Sequence, residues 1–133
     1  MKKFQFRLER VLDYRSAEKE QQKNKVALQS QKIKEHENVL CELELKLLME
    51  EKQEQILQAQ EIQLKAVFKQ RLRQEIERIK LEIEQLKEKL AELMQIYTEK
   101  AKEEKVLQLL KEKKHEQYLK NLELEEIKFI DEI

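Results

Sequence analysis

The chain contains neither glycine nor proline in its 133 residues, and this absence restricts its fold more than any other feature. Glycine and proline are the residues that most often interrupt helices, whereas Glu, Lys, Gln and Leu, which recur throughout, are strong helix formers. Ser, Thr and Asn, which cap helices and start turns, are scarce. Because 42% of the residues are charged and 40% hydrophobic, we expect an all-α fold whose core is a seam between long helices.

Apolar residues spaced alternately four and three apart run through the second half of the chain. This spacing is typical of a coiled-coil seam, and the charged residues between them are expected on its solvated flanks. Upstream, the phase that Leu8 and Leu12 begin continues through Arg15, Lys19 and Gln22. A polar seam of this kind is expected to pack weakly or to be completed by another molecule. The eight consecutive apolar positions are Leu72, Ile76, Ile79, Ile83, Leu86, Leu90, Leu93 and Tyr97.

The charge distribution indicates that the chain folds back on itself. Residues 1–15 carry five basic groups against two acidic ones, a net charge of +3, and residues 123–133 carry five acidic groups against one basic, a net charge of −4. An antiparallel hairpin places these ends side by side, and complementary charge favours that orientation although each exposed pair contributes little.

We therefore expect a long antiparallel two-helix coiled-coil hairpin that forms one domain over residues 1–133. Its turn is expected near residues 55–62, in a glutamine-rich stretch where the apolar phase changes. The predicted elements are helix 1 at about 4–55, the turn at about 56–61 and helix 2 at about 62–130.

The composition argues against catalytic and cofactor sites. Phosphate-binding loops, dinucleotide fingerprints and nucleophile elbows all need glycine. The single cysteine, Cys41, allows no intrachain disulfide, and we expect it to be a small buried hydrophobe rather than a reactive thiol. His36 and His115 are too few and too far apart for a metal site, and His36 falls at a seam position, where a partly buried neutral imidazole is expected. The sequence predicts no enzyme, no cofactor and no metal.

The overall charge and hydropathy restrict the partners. The formal net charge is zero, with 28 basic and 28 acidic residues, which argues against a nucleic-acid binder because such proteins normally carry a basic excess. The start of the chain resembles neither a signal peptide nor a membrane span, and purely apolar runs are only two or three residues long. We expect a soluble, intracellular protein that does not insert into the membrane.

The most specific pattern lies at the start of the chain. The stretch "FQFRLERVLDYRSAEKEQQ" resembles the amino-terminal signature of the FliJ family, a small coiled-coil component of the bacterial flagellar export apparatus. An aromatic residue precedes Arg-Leu, a Leu-x-x-Val-Leu-x-x-Arg spacing follows, and then a Glu-Lys-Glu. The chain lacks the glycine often found near the family's turn.

The resemblance implies a fold and a set of partners. FliJ-like proteins are antiparallel two-helix coiled coils similar to the central stalk of rotary ATPases. In the family, the end that carries both termini associates with the hexameric ring of the export ATPase FliI. Other partners are the membrane export gate protein FlhA and the export chaperones of late substrates. By resemblance the protein is non-enzymatic, cytoplasmic and peripherally associated with the inner face of the cell membrane at the flagellar base.

The start of the chain also supplies candidate residues for the ATPase contact. It carries more apolar surface than one seam buries, and its arginines are planar donors suited to a partner's carboxylates and carbonyls. A simpler interpretation is that Phe4 to Leu12 only staple the end of the hairpin against Phe129 and Ile130. The residues assigned to ATPase binding are Phe6, Arg7, Leu8, Val11, Leu12, Tyr14 and Arg15.

In the family, the gate contact lies toward the turn and is formed from both helices. By register this places it on six residues of the present chain. The alternative for Phe68 is a core position that caps the seam below the turn. The residues assigned to gate binding are Leu45, Leu48, Phe68, Leu72, Glu75 and Ile79.

Two other functions fit the sequence without the resemblance. One is a purely structural homodimeric coiled-coil scaffold. The other is a chaperone-like hairpin that holds client helices, with the polar seam at residues 15–30 as its binding groove.

Overall fold

A computed structural model of the chain describes residues 3–53 and 58–133. These residues form two long helices, α1 at Glu9–Lys52 and α2 at Ala59–Glu132. No strand occurs in these two ranges. The predicted all-α class and helical hairpin are confirmed, as expected for a chain in which neither glycine nor proline interrupts the backbone hydrogen bonding.

The first helix begins at Glu9, later than the predicted start near residue 4. The backbone N–H of Glu9 donates to the Phe6 carbonyl at 3.1 Å, which closes a turn before the helix proper. The residues before this turn are not helical, and Phe4 packs against α2 instead. Since the first four N–H groups of a helix have no partner within it, unwinding this segment sacrifices little hydrogen bonding and gains burial of an aromatic ring.

Next to the predicted turn, α1 ends and α2 begins within a few residues of the predicted positions. Helix α1 ends at Lys52, and residues 54–57 lie outside the described residues, so the first part of the predicted turn falls there. Gln58 is not helical, and α2 has already begun at Ala59, which is earlier than the predicted start near residue 62.

Tertiary contacts divide the chain into two compact units. The terminal unit consists of Met1–Asn24 and Met94–Ile133, and the central unit is Lys25–Leu93. One coiled-coil domain over the whole chain stays a prediction.

Within each unit, the segments of α1 and α2 run antiparallel. In the terminal unit, Lys111 contacts Glu9 at 2.9 Å and Glu103 contacts Arg15 at 3.0 Å. In the central unit, Lys87 contacts Glu37 at 3.7 Å, and a second ion pair joins Arg73 to Glu51 at 3.3 Å. In both units the residue numbers rise along α1 while those of their partners fall along α2.

The central unit buries an apolar seam. The first four positions of the predicted seam in α2, Leu72 to Ile83, are buried, and Ile33 of α1 is buried with them. Gln29 is the buried polar side chain here, and its amide Nε2 donates to the Leu86 carbonyl at 3.0 Å. Fully burying each aliphatic side chain stabilises the fold by about 1.5–3 kcal/mol. The remaining predicted seam positions, Leu86, Leu90, Leu93 and, in the terminal unit, Tyr97, are half-buried.

The terminal unit buries a more polar seam. Leu12, Gln22 and Glu104 are its buried side chains. The Glu104 carboxylate accepts from Lys19 Nζ at 3.3 Å and from Gln108 Nε2 at 3.0 Å. This confirms the predicted change of the seam from apolar to polar. Among the described residues, no buried side-chain nitrogen or oxygen lacks a hydrogen-bond partner.

Two expectations for single residues have different outcomes. Cys41 is exposed, so the expected buried position is wrong, because the neighbouring seam position is taken by Leu40 and the next residue along a helix faces elsewhere. His36 is half-buried, as expected. Its ring Nδ1 lies 2.8 Å from the Lys32 carbonyl oxygen, and Nε2 lies 3.4 Å from a Glu82 carboxylate oxygen.

Candidate partner-binding surfaces

Phe4 anchors the non-helical start of the chain on α2. Its ring meets the His115 ring edge-on at a centroid distance of 4.9 Å and the Tyr118 ring at 5.6 Å. Phe4 therefore staples the start of the chain to α2, but the simpler interpretation is wrong about its partners, since Phe129 and Ile130 are exposed.

The acidic end of α2 does not lie where the charge distribution predicted. The basic residues 1–15 were expected beside residues 123–133, but Glu9 pairs with Lys111 and every residue from 123 to 133 is exposed. The apolar and aromatic contacts of the terminal unit set a register in which α2 extends further than the charge balance alone suggests.

Three of the predicted ATPase-binding residues are exposed at the start of α1 or in the turn just before it. Val11 and Tyr14, three residues apart, lie on the same face of α1, and Arg7 lies in the turn that precedes the helix. All three are exposed, with Tyr14 the most prominent of the apolar pair at 62%. We call these residues the Arg7–Tyr14 edge. Leu12 is instead buried in the seam.

The other predicted residues of this set lie close to the same edge. Phe6 and Leu8 are half-buried beside α2. Arg15 contacts two carboxylates of the chain itself, Glu18 at 3.3 Å and Glu103 at 3.0 Å. The guanidinium of Arg15 is therefore already paired, which makes Arg7 the more available arginine for a partner's carboxylate.

A small network of charged and polar side chains lies at the C-terminal end of the Arg7–Tyr14 edge, next to Tyr14. Lys100 Nζ contacts the Glu18 carboxylate at 2.9 Å, and this hydrogen bond, together with one from the Tyr14 hydroxyl, lowers the pKa of Glu18. The same contacts raise the pKa of Lys100 and that of Tyr14. The Tyr14 ring, next to Glu18 on this face, remains largely exposed and presents an apolar surface.

A groove of about 480 Å³ opens beside the start of α1. Its lining combines apolar side chains with two cations and several amides, a combination suited to a large apolar side chain flanked by carboxylates. Sequence reasoning missed the α2 side of this groove because nothing in the heptad pattern distinguishes those residues from other flanking positions. The side chains that define its character are Phe6, Arg7, Leu8, Leu110, Lys114 and Gln117.

The second candidate surface, for the export gate, lies in the central unit. Leu72 and Ile79 are buried in the seam. Leu45, Leu48 and Phe68 are exposed, so Phe68 is not a core residue that caps the seam. Half the predicted set is thus available to a partner as apolar surface.

Glu75, the remaining member of this set, is half-exposed and paired along its own helix. Arg78 donates to both carboxylate oxygens of Glu75 and also contacts Glu82 at 2.9 Å. The hydrogen bonds from Arg78 lower the pKa of Glu75, and those contacts raise the pKa of Arg78. A partner therefore meets a charged pair here rather than a lone carboxylate.

The exposed members of this set do not share one edge of the helix pair. A helix turns about 100° per residue, so residues three apart lie on nearly the same edge. Leu48 therefore lies on the edge of α1 that carries Glu51, and Glu51 contacts Arg73 of α2 at 3.3 Å. On α2, Glu75 follows Arg73 by two residues, a rotation of about 200°, so Glu75 lies on the opposite edge. Phe68 comes seven residues, or about two turns, before Glu75 and therefore shares its edge. The structure therefore brings Phe68 and Glu75 together and separates them from Leu48.

Leu45 lies on a third face. It is two residues from both Leu43 and Leu47, which are half-buried, so it points away from α2. Other exposed apolar side chains near this end of the central unit were missed by the register argument. The sequence signal for Ile62 was the change of apolar phase near the predicted turn. They are Met49, Ile62, Leu64 and Val67.

The described residues contain neither a metal-binding cluster nor a membrane-spanning helix. In residues 3–53 and 58–133, no group of three or more His, Cys, Asp or Glu side chains is placed to hold a metal ion. Within the same residues, neither helix has a stretch long and apolar enough to span a bilayer.

A family model described as "Flagellar FliJ protein" matches residues 4–133 of the chain, nearly its whole length. No curated protein and no solved structure matches it.

Proposed function

The chain belongs to the FliJ family, whose members are non-catalytic components of the flagellar export apparatus, and we propose that it binds the ring of the export ATPase through its terminal unit. The observation that carries this proposal is the Arg7–Tyr14 edge, an exposed cationic and apolar surface at the start of α1. Hot spots of binding are commonly built from arginine, tyrosine and neighbouring apolar groups in this way.

The proposed role in the ring is that of a central stalk. A stalk that contributes no catalytic group acts by binding some states of the ring more tightly than others, so it shifts their populations. Bound at the centre of a hexamer, the Arg7–Tyr14 edge would promote ring assembly and ATP hydrolysis by that route.

The ATPase rate, measured against added protein, tests this proposal. We expect the triple variant Arg7→Glu, Val11→Ala and Tyr14→Ala to need on the order of tenfold or more protein for the same stimulation, since hot-spot truncations each remove about 1–2 kcal/mol of binding free energy or more. Stimulation by the parent protein should weaken with added salt, because exposed charges are screened.

The matched control is Leu28→Ala, which truncates another apolar side chain of α1 that is 62% exposed. It should stimulate like the parent protein, and circular dichroism should show that both variants stay helical. Normal stimulation by a folded triple variant would mean that the ATPase binds elsewhere on the chain.

For the export gate, we propose the edge of α2 that carries Phe68 and Glu75. Leu72 and Ile79 would support this edge from within the seam, and Leu45 and Leu48, which lie on other faces, would stay outside it. Phe68 and Leu48 are equally exposed, at 46% each, so the two alanine variants form a matched pair.

Binding of purified gate protein to the two variants separates the alternatives. Phe68→Ala should weaken binding about tenfold or more, whereas Leu48→Ala should leave it unchanged. Equal losses in both variants, or a loss in Leu48→Ala alone, would contradict the assignment of the contact to the Phe68 edge.

The remaining family partners follow the same proposal. Export chaperones of late substrates are further partners, and peripheral association with the inner face of the cell membrane at the flagellar base would come through the gate. The client-holding alternative is disfavoured because Gln22, a position of the polar seam meant as its groove, is buried between the helices, and so is Gln29 further along residues 15–30. A purely structural homodimeric coiled coil, whose seam would form between two chains, is disfavoured because α1 pairs with α2 of the same chain.

A further inference from the structure

The end of α2 presents large apolar side chains to solvent. Every residue from 123 to 133 is exposed, and Phe129, at 67%, is among the most exposed of the large hydrophobic side chains. Grouped apolar side chains of this kind mark sites of protein–protein contact. We call residues 123–133 the α2 tail.

The apolar groups of the α2 tail are interleaved with carboxylates. Glu125, Glu126, Phe129 and Ile130 line one shallow crevice on its surface, because they fall at helical spacings of three and four. The tail carries a net charge of −4. A surface that receives it must therefore offer apolar contact and positive charge together.

The groove at the start of α1 offers this combination. Arg7 and Lys114 supply two cations, and Phe6, Leu8 and Leu110 supply an apolar lining. With about 480 Å³, it falls within the range of pockets that enclose most of a bound group. Two carboxylates and two large apolar side chains on the tail thus correspond to two cations and an apolar lining in the groove.

The tail cannot occupy the groove of its own chain. Helix α2 runs without interruption to Glu132, and residues 110–121 of this same helix line the groove. The tail therefore continues along the helix axis, away from residues 110–121, and the occupant of the groove comes from another molecule.

We propose that the α2 tail docks into the groove of a second copy of this chain. Because each copy has one tail and one groove, two reciprocal contacts close a two-fold symmetric dimer, the commonest form of self-association. Arg7 lies both in the groove and on the Arg7–Tyr14 edge, so the dimer covers part of the surface assigned above to the ATPase. The dimer itself does not rest on that assignment, since its test measures mass alone.

Sedimentation equilibrium of the full chain tests this proposal. The parent protein should shift with concentration from its chain mass of 16.3 kDa to twice that mass, and added salt should favour the monomer. A groove variant, Arg7→Glu with Lys114→Glu, and a tail variant, Glu125→Lys with Glu126→Lys, should each weaken dimerisation on the order of a hundredfold, because like charges then face each other.

The decisive experiment combines the charge reversal in the groove with the charge reversal in the α2 tail. Mixing the groove and tail variants should restore a dimer between them. In this dimer, the native tail of the groove variant meets the native groove of the tail variant, and the reversed tail meets the reversed groove, so both contacts pair opposite charges. The matched control, Glu84→Lys with Glu88→Lys, reverses two exposed charges elsewhere on α2 and should dimerise like the parent protein.

Three results would each overturn the proposal: a monomer at every concentration, a dimer that neither variant weakens, or a mixture that fails to recover. Circular dichroism on each variant shows that its helices remain. Phe129→Ser, which alters an exposed side chain of the tail and no charge, provides a third weakened variant, and its folding is not in question.

Discussion

The central and terminal units are built from the same two helices but bury different side chains. The central unit encloses aliphatic residues such as Ile33 and Ile79, with Gln29 as a polar exception. The terminal unit encloses Gln22 and Glu104 beside Leu12. Apolar burial stabilises a fold without demanding a particular partner, whereas a buried polar group must find its hydrogen bonds or it destabilises the fold.

This difference separates the unit that supplies most apolar burial from the unit that carries the surfaces proposed for ATPase binding and self-association. The central unit has the apolar area to hold the hairpin together, while the terminal unit leaves its distinctive side chains, the Arg7–Tyr14 edge and the α2 tail, outside the seam. A short seam of polar contacts aligns the helices there with less stabilisation. Amide hydrogen exchange, which reads the units separately, should show weaker protection in residues 9–24 than around Ile79.

Breaking the central seam is expected to have the largest effect. Ile83→Asp places a charge between the helices and should lower the free energy of unfolding by about 3–5 kcal/mol, a large part of the stability of a small domain. Urea unfolding followed by circular dichroism measures this change. Leu81→Asp, at an exposed position two residues away, is the control and should change stability little; equal losses would mean that the seam is not the core.

Making the terminal seam apolar should raise stability. In Lys19→Leu with Glu104→Leu, both partners of the ion pair are replaced, which removes the desolvation penalty of the buried carboxylate and should add about 1–3 kcal/mol to the free energy of unfolding. Thermal melts of the double variant and of Glu104→Ala alone make the comparison. The single variant should instead be destabilised, since it leaves a gap in the seam. A double variant less stable than the parent protein would show that the polar contacts contribute net stability.

Acid should weaken the terminal unit through Glu18. The folded-state pKa of this carboxyl lies below its ordinary value of 4.5, so its stabilising contribution is present above that value and is lost as the pH falls through the folded-state pKa. Glu18→Gln should therefore lower the melting temperature near neutral pH and have progressively less effect in acid. A loss that is the same at all pH values would mean that the charge of Glu18 is not responsible.

The smallest effect is expected for the ion pair between Glu75 and Arg78 in the central unit. The pKa of Glu75 is also lowered, by Arg78 one turn along the same helix, but an exposed pair within one helix contributes little to tertiary stability. Glu75→Gln should leave the melting temperature nearly unchanged at neutral pH. A change as large as that of Glu18→Gln would contradict the distinction between contacts across the helix pair and contacts within one helix.

Much of the fold follows from patterns that are local along the chain. The spacing of Leu72, Ile76, Ile79 and Ile83 predicted the buried face of α2, and Arg15, Lys19 and Gln22 predicted the polar part of the seam. These predictions hold because a helix repeats every 3.6 residues, so a periodic sequence defines a face whatever lies opposite. The start of the chain was predicted less well, because Phe4 leaves the helix to pack on residues more than a hundred positions away.

The candidate surfaces show the same division between features set by local sequence spacing and features set by contacts between distant residues. Val11 and Tyr14 share a face of α1 because of their spacing alone, so the sequence was sufficient to group them, whereas Arg7 lies in the turn before the helix. Leu48 and Phe68 lie on different helices, and which edge each occupies depends on how α1 and α2 face each other. Likewise, the register of the terminal unit was misjudged from net charge, since exposed charge is screened and non-directional while the contacts of Phe4 with His115 and Tyr118 are specific.

By itself, the sequence determined that this chain forms two long helices, which face of α2 is buried, where the seam becomes polar and to which family the chain belongs. These are properties of residues near one another along the chain, for which helical periodicity supplies the geometry. Only the tertiary structure decided that α1 starts at Glu9, that a groove forms between Arg7 and Lys114 and that the α2 tail is left exposed. Those features depend on the register between two helices, which is set by contacts between residues distant in the chain and has no periodic signature in either helix.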